Sequence, residues 1–138
     1  MRKAYVALVV LALAMGTAGI FVLYYSDVLS ALRHETDRWA VIRDRDGDHI
    51  AVEPISDKVW SQLVQLCENE SERWIGSIVQ EYDNKWGFRF KPENVTVAEY
   101  TIEGAQTSIR SISQDLNYWL DLGWAYVWAR VTEIHDAA

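Results

Sequence analysis

The sequence predicts an α+β domain carried on an N-terminal membrane anchor. Three observations predict it. An uncharged apolar run near the N-terminus is longer than a small domain can bury on every side. Two later segments repeat apolar residues at three- and four-residue spacing, as helices packed on one side do. Around them lie alternating, aromatic and β-branched runs bounded by turn residues, which read as strands.

The apolar run, "AYVALVVLALAMGTAGIFVLYYS", spans Ala4 to Ser26, 23 residues without a charge. About 20 apolar residues in a helix cross the hydrocarbon core. Tyr5, Tyr24 and Tyr25 stand at its ends, where amphipathic rings prefer the membrane interface. Arg2 and Lys3 precede it, so the positive-inside rule places the N-terminus in the cytoplasm and the remainder outside. Residues 1–26 are therefore expected as a transmembrane anchor that meets the bilayer through residues 4–26. A cleaved signal peptide is the competing reading, with Ala12-Leu13-Ala14 as its small-residue site. It would leave an apolar start on the mature chain, and either way the domain is exported.

Residues 27–38, "DVLSALRHETDR", are polar and helix-permissive and are expected as a stem, with His34 on its surface. Two β-prone runs, Trp39–Ile42 and Ile50–Val52, flank Asp46-Gly47, a hairpin signal of type I′. Asp44, Asp46 and Asp48 invite comparison with a calcium loop. The EF-hand needs Gly sixth and Glu twelfth; here Gly is fourth and Ile55 twelfth, so no calcium site is expected.

Ser56–Glu70 is a helix with Ser56 or Asp57 at its N-cap and Val59, Trp60, Leu63, Val64, Leu66 and Cys67 on one face. Cys67, the only cysteine, is expected as a buried thiol. Arg73–Tyr82 reads as a strand, Asp83-Asn84-Lys85 as a turn, and "WGFRF" as a second strand with Trp86, Phe88 and Phe90 on one side. Pro92-Glu93-Asn94 breaks it, and Val95–Glu103 is a third strand. Glu103–Gly123 is a second amphipathic helix, Ala125–His135 a closing strand. A β-α-β-β-α-β order predicts a two-layer sandwich of an antiparallel sheet and two helices over residues 39–135, in a split β-α-β arrangement.

The residues Gly76, Ile78, Tyr82-Asp-Asn84-Lys-Trp86-Gly-Phe88, Pro92-Glu-Asn-Val95, Thr101-Ile-Glu103, Leu116-Asn-Tyr118-Trp119 and Arg130-Val131 form a pattern. It resembles the N-terminal domain of a slime-mould fruiting-body protein and its small relatives in bacteria and archaea. The resemblance covers roughly Trp39 to Ile134 and implies an exported domain with no reaction to transfer. That family carries a cysteine after its Ile-Glu pair and another near the final strand. Here Ala105 and Ala125 or Tyr126 stand at those places, so the family's disulfide is absent. Arg89 stands where the family often has histidine.

Composition narrows the function. Beyond Arg2 and Lys3 the chain carries 11 basic against 20 acidic residues, which excludes a nucleic-acid partner and an anionic lipid surface. Phosphate loops, nucleophile elbows and His-Glu-x-x-His pairs do not occur, and no metal or cofactor is expected. Glu81, Asp83, Glu99 and Glu103 are the carboxylates a small hydrolase would have to use. The seven tryptophans are the better signal, two-thirds or more of them expected in the core. Exposed Trp or Tyr would bind a glycan or a partner protein, as in a carbohydrate-binding module or a subunit of an envelope assembly. The candidate contact residues are Tyr82, Asn84 and Trp86 at the hairpin tip and Trp124 past the second helix. Asn69 and Asn94 head sequons for glycosylation.

Overall fold

The computed structural model describes residues 26–137. The chain divides into two compact units, Met1–Ser30 and Ala31–Ala138. In the first, residues 26–30 are helical. Among the described residues no helix is long and apolar enough to cross a membrane. Residues 4–25 of the expected anchor lie outside them.

The second unit starts earlier than the predicted boundary at Trp39. The expected stem is helical only to Ala31, which is buried. Arg33, Glu35 and Thr36 tie its second half to the domain. Arg33 donates to the carbonyl and to Oδ2 of Asp83, at 2.8 and 3.0 Å. The N–H groups of Glu35 and Thr36 both donate to the buried Glu53 carboxylate, at 3.0 Å. The polar residues of the stem thus serve as partners for the domain.

β1 (Arg38–Asp44) and β2 (His49–Val52) form the predicted hairpin. Its turn is wider than type I′, because Gly47 alone among residues 45–48 has positive φ, at 86°. Asp44 explains the wider loop. Its Oδ1 accepts the N–H groups of Asp46 and Asp48 at 3.0 Å, closing the turn with a side chain.

α1 (Asp57–Asn69) is capped by Ser56, whose hydroxyl accepts the N–H of Val59. Trp60, Leu63 and Leu66 face the core, and Cys67 is half-buried beside them rather than enclosed. β3 (Glu72–Glu81) pairs along one edge with β7 (Trp124–Asp136). Its other edge takes β4 (Phe88–Phe90) and then β5 (Thr96–Ala98), with a 3-10 turn at Pro92–Asn94 between them. The predicted third strand is therefore cut to three residues.

The second helix also differs from expectation. Residues 103–105 form a 3-10 turn, and β6 (Gln106–Thr107) pairs parallel with β7. The helix begins only at Ile109 and breaks at Asp115, giving α2 (Ile109–Gln114) and α3 (Leu116–Leu122). Ser108 and Asp44 set the start: the Ser108 hydroxyl accepts the N–H of Ser111, and Asp44 Oδ2 accepts that of Ile109 at 3.0 Å.

The strand order is β2-β1-β7-β3-β4, with β5 beside β3 and β6 beside β7. The result is an α+β unit with a mostly antiparallel sheet, as predicted. One side of the sheet presents Ile42, Ile75, Val79, Val127 and Val131 to Trp60, Leu63, Ile109, Ile112 and Trp119. Phe88 and Phe90 join the same core, as their alternation predicts, and Trp86 joins it from the turn before β4. Each fully buried side chain of this kind contributes about 1.5–3 kcal/mol.

Candidate functional site

Side chains alternate across a strand, so the residues between core positions share the opposite face. On β7, Trp124, Tyr126, Trp128 and Arg130 alternate with buried Ala125, Val127, Ala129 and Val131. On β3, Trp74, Gly76 and Ile78 alternate with buried Ile75, Ser77 and Val79. The register sets Trp74 opposite Trp128, Gly76 opposite Tyr126, and Ile78 opposite Trp124. Trp39 shares this face, because its neighbour Ala40 pairs with Ile134 on the core side. Its indole is sandwiched between the imidazoles of His34 and His135, at 4.1 and 3.9 Å.

The seven tryptophans therefore divide by face. Only Trp60, Trp86 and Trp119 are buried in the core, three of the seven rather than the expected two-thirds or more. Trp39, Trp74, Trp124 and Trp128 lie on the side of the sheet away from the helices.

This face is ordered by its own contacts. Trp74 and Trp128 meet edge to face at 5.3 Å, and the Trp128 indole N–H donates to Glu72 Oε2. Trp124 and Tyr126 lie nearly parallel, 9° apart with centroids at 6.0 Å. A Cβ at Gly76 would stand 2.6 Å from the Tyr126 ring and 2.1 Å from the Ala125 carbonyl oxygen, so only glycine fits there. Burial raises the Tyr126 pKa above the usual phenol range, opposed by a hydrogen bond with the Thr96 side chain.

Beside Trp74 and Trp128 opens a cavity of about 170 Å³, lined also by Asp44, Arg45, Asp46, Thr107 and Ser108. The Arg45 guanidinium lies 5.4 Å from the Trp128 ring centroid. One row further, Arg43 pairs across the sheet with Arg130 on one side and His49 on the other. Burial, then the Arg43 charge, holds the His49 pKa below the usual imidazole value; Glu133, Asp44 and Asp48 oppose them.

Residues 99–105 carry the chain from β5, outside β3, to β6, outside β7. Ala105 in this stretch is buried but does not join the helix-side core. Tyr100 and Ile102 project from the same stretch, 87% and 80% exposed.

The residues singled out from the sequence fare differently. Trp124 is 38% exposed and belongs to the aromatic face. Trp86 is corrected: at 7% exposure it is a core residue, its indole N–H donating to the His49 carbonyl at 2.7 Å. Asn84 is engaged in the turn. Its Oδ1 accepts the N–H groups of Trp86 and Gly87, and its Nδ2 donates to the Phe88 carbonyl. Tyr82 is half-buried under the Arg89 guanidinium at 4.6 Å, and burial raises its pKa, with Glu35 and Glu53 adding to the effect. Asn69 is exposed at the end of α1, and Asn94 half-buried in its 3-10 turn.

Trp74, Tyr126 and Trp128 were not singled out from the sequence. The alternation Trp124-Ala-Tyr126-Val-Trp128 carries their signal, since small apolar residues between large rings mark two different faces. Glu81 and Glu99 do not approach each other. Glu81 lies seven residues along β3 from Trp74, the partner of Ala98 that precedes Glu99. That is about 23 Å at 3.3 Å per residue, too far for paired carboxylates. No cluster of three or more metal-ligating side chains occurs among the described residues.

Comparison with family models, with curated proteins and with solved structures finds no match to this chain.

Proposed function

We propose that this chain is a membrane-anchored binding domain whose contact surface is the aromatic face of its sheet. Residues 4–26 hold it in the bilayer with the N-terminus cytoplasmic and the domain outside. There it takes a protein or glycan partner, as a subunit of an envelope assembly would. One observation carries the reading: every tryptophan outside the core lies on the same sheet face. A small domain gains most from burying its large aromatics. Trp74, Trp124 and Trp128, with Tyr126 among them, share one stretch of that face over a complete core and fit the anchor residues of a binding surface; Trp39 stands further along it, between His34 and His135. The acidic balance leaves nucleic acid out of the reading.

Two further points support it. β5 and β7 run parallel on either side of β3 and are joined through α2 and α3, which fits the split β-α-β arrangement. The resemblance to the slime-mould domain group points the same way, to an exported domain without a reaction.

The test joins topology to binding. In a Cys67→Ser background, an Ala137→Cys variant on intact cells should react with a membrane-impermeant maleimide. Co-purification of a stoichiometric partner from solubilised membranes should be lost in Trp124→Ala and Trp128→Ala and kept in Lys85→Ala. A protected thiol at position 137, or a partner indifferent to both tryptophans, contradicts the proposal.

A further inference from the structure

The geometry points to the cavity between Trp128, Trp74 and the 45–46 loop as a subsite for one ring of a neutral saccharide, an inference that rests on the aromatic face being the binding surface. Three features of the cavity carry it. Its walls include two indoles fixed relative to each other, one held further by its hydrogen bond to Glu72. Such rigid flat surfaces suit the C–H faces of a pyranose ring, which are apolar while the ring's edges are not.

The rim supplies both senses of hydrogen bond. Arg45 brings guanidinium donors, Asp46 brings acceptor oxygens, and Thr107 and Ser108 line the same wall. A sugar hydroxyl donates and accepts at once, and a neighbouring donor and acceptor satisfy both roles. Arg45 makes no ion pair among the described residues, and Asp46 is exposed, so both remain available to a ligand. Asp44, by contrast, is committed to three backbone N–H groups and shapes the cavity instead.

The charges decide the class. Arg45 stands against Asp46 in the lining, because the Asp44 carboxylate is taken up by three backbone N–H groups. One available cation and one available anion favour a neutral ligand over either charge. The acidic excess of the chain adds a long-range bias against acidic glycans and acidic peptides. At about 170 Å³ the cavity is below the usual range for drug-sized ligands and suits a single ring of a longer chain. The rest of that chain would run over Tyr126 and Trp124, which continue the face along β7.

The test is a titration of the full chain, with ¹⁵N-labelled tryptophan, in phosphocholine micelles that carry no sugar headgroup. The probes are neutral gluco-, manno-, xylo- and chito-oligosaccharides, with a uronate-bearing oligosaccharide as the charged control. With at least one neutral class, the indole N–H signals of Trp74 and Trp128 should move together and saturate. Those of Trp60, Trp86 and Trp119 should stay in place, reporting an intact core. Arg45→Ala and Asp46→Asn should each weaken that binding tenfold or more with the core signals unmoved. Silence from every neutral saccharide overturns the inference, as does preference for the uronate or equal binding by the two variants. If partner capture still depends on Trp128 in that case, the binding-domain reading stands and the ligand is a protein. If capture is also indifferent to Trp128, both fall.

Discussion

Tyr126 stands directly opposite Gly76 across the β3–β7 ladder, and its ring fills the space where a side chain at position 76 would go. The pair sits in the middle of the aromatic face, with Trp74 and Trp128 on one side and Trp124 on the other. Gly76→Ala should therefore lower stability by about 1–3 kcal/mol, the usual cost of overpacking. Guanidinium denaturation measures it. Tyr126→Ala should not rescue the variant, because the Ala125 carbonyl oxygen still stands 2.1 Å from the new Cβ.

Trp86 and Trp128 should part company under substitution. Trp86→Ala opens the core and removes the hydrogen bond to His49, a loss of about 3–5 kcal/mol. Trp128→Ala gives up a half-exposed edge-to-face pair, worth about 0.5–1.5 kcal/mol. Thermal or chemical unfolding separates them, and partner binding should show the reverse order among variants that remain folded.

Asp44 ties the β1–β2 turn to the start of α2 through its two carboxylate oxygens. Asp44→Ala leaves the Ile109 N–H without its acceptor and should cost about 1.5–3 kcal/mol, the range for hydrogen bonds to charged groups. Asp44→Asn keeps one acceptor oxygen and should cost less. Amide exchange should quicken at Asp46, Asp48 and Ile109 in the alanine variant before it does elsewhere.

His49 gives the domain a pH dependence of definite sign. Its folded pKa lies below the unfolded value of 6.5, so the unfolded chain binds the proton more readily. The contribution is present in full above that unfolded value and is lost as pH falls through the lowered folded one. Denaturation midpoints compared across about pH 7.5 to 5 should fall more steeply for the native chain than for His49→Gln. Parallel slopes would contradict the burial and the Arg43 charge assigned to this imidazole.

Much of the fold is legible in the sequence where local signals and packing agree. Ser56, the three- and four-residue stripe of α1 and the alternation of Phe88 and Phe90 all act through neighbours close in the chain. What escapes is set by distant partners. The start of α2 depends on Asp44, 65 residues earlier in the chain. The third strand ends at Ala98 because the chain must cross the sheet to reach β6. Trp86 looks like a tip residue from its place after a turn, yet Asn84 folds that turn back and sends the indole into the core. The aromatic face could be read from the Trp124–Trp128 alternation, but its union with Trp74 needs the β3–β7 register.

The most direct measurement of the central claim is site-specific photo-cross-linking in the native envelope, with benzoylphenylalanine placed at Trp124 in one variant and at Lys85 in another. Position 124 lies on the aromatic face and position 85 at the hairpin tip, and both are exposed. A discrete adduct from position 124 and none from position 85 is the predicted result. Adducts from the hairpin tip alone would contradict it.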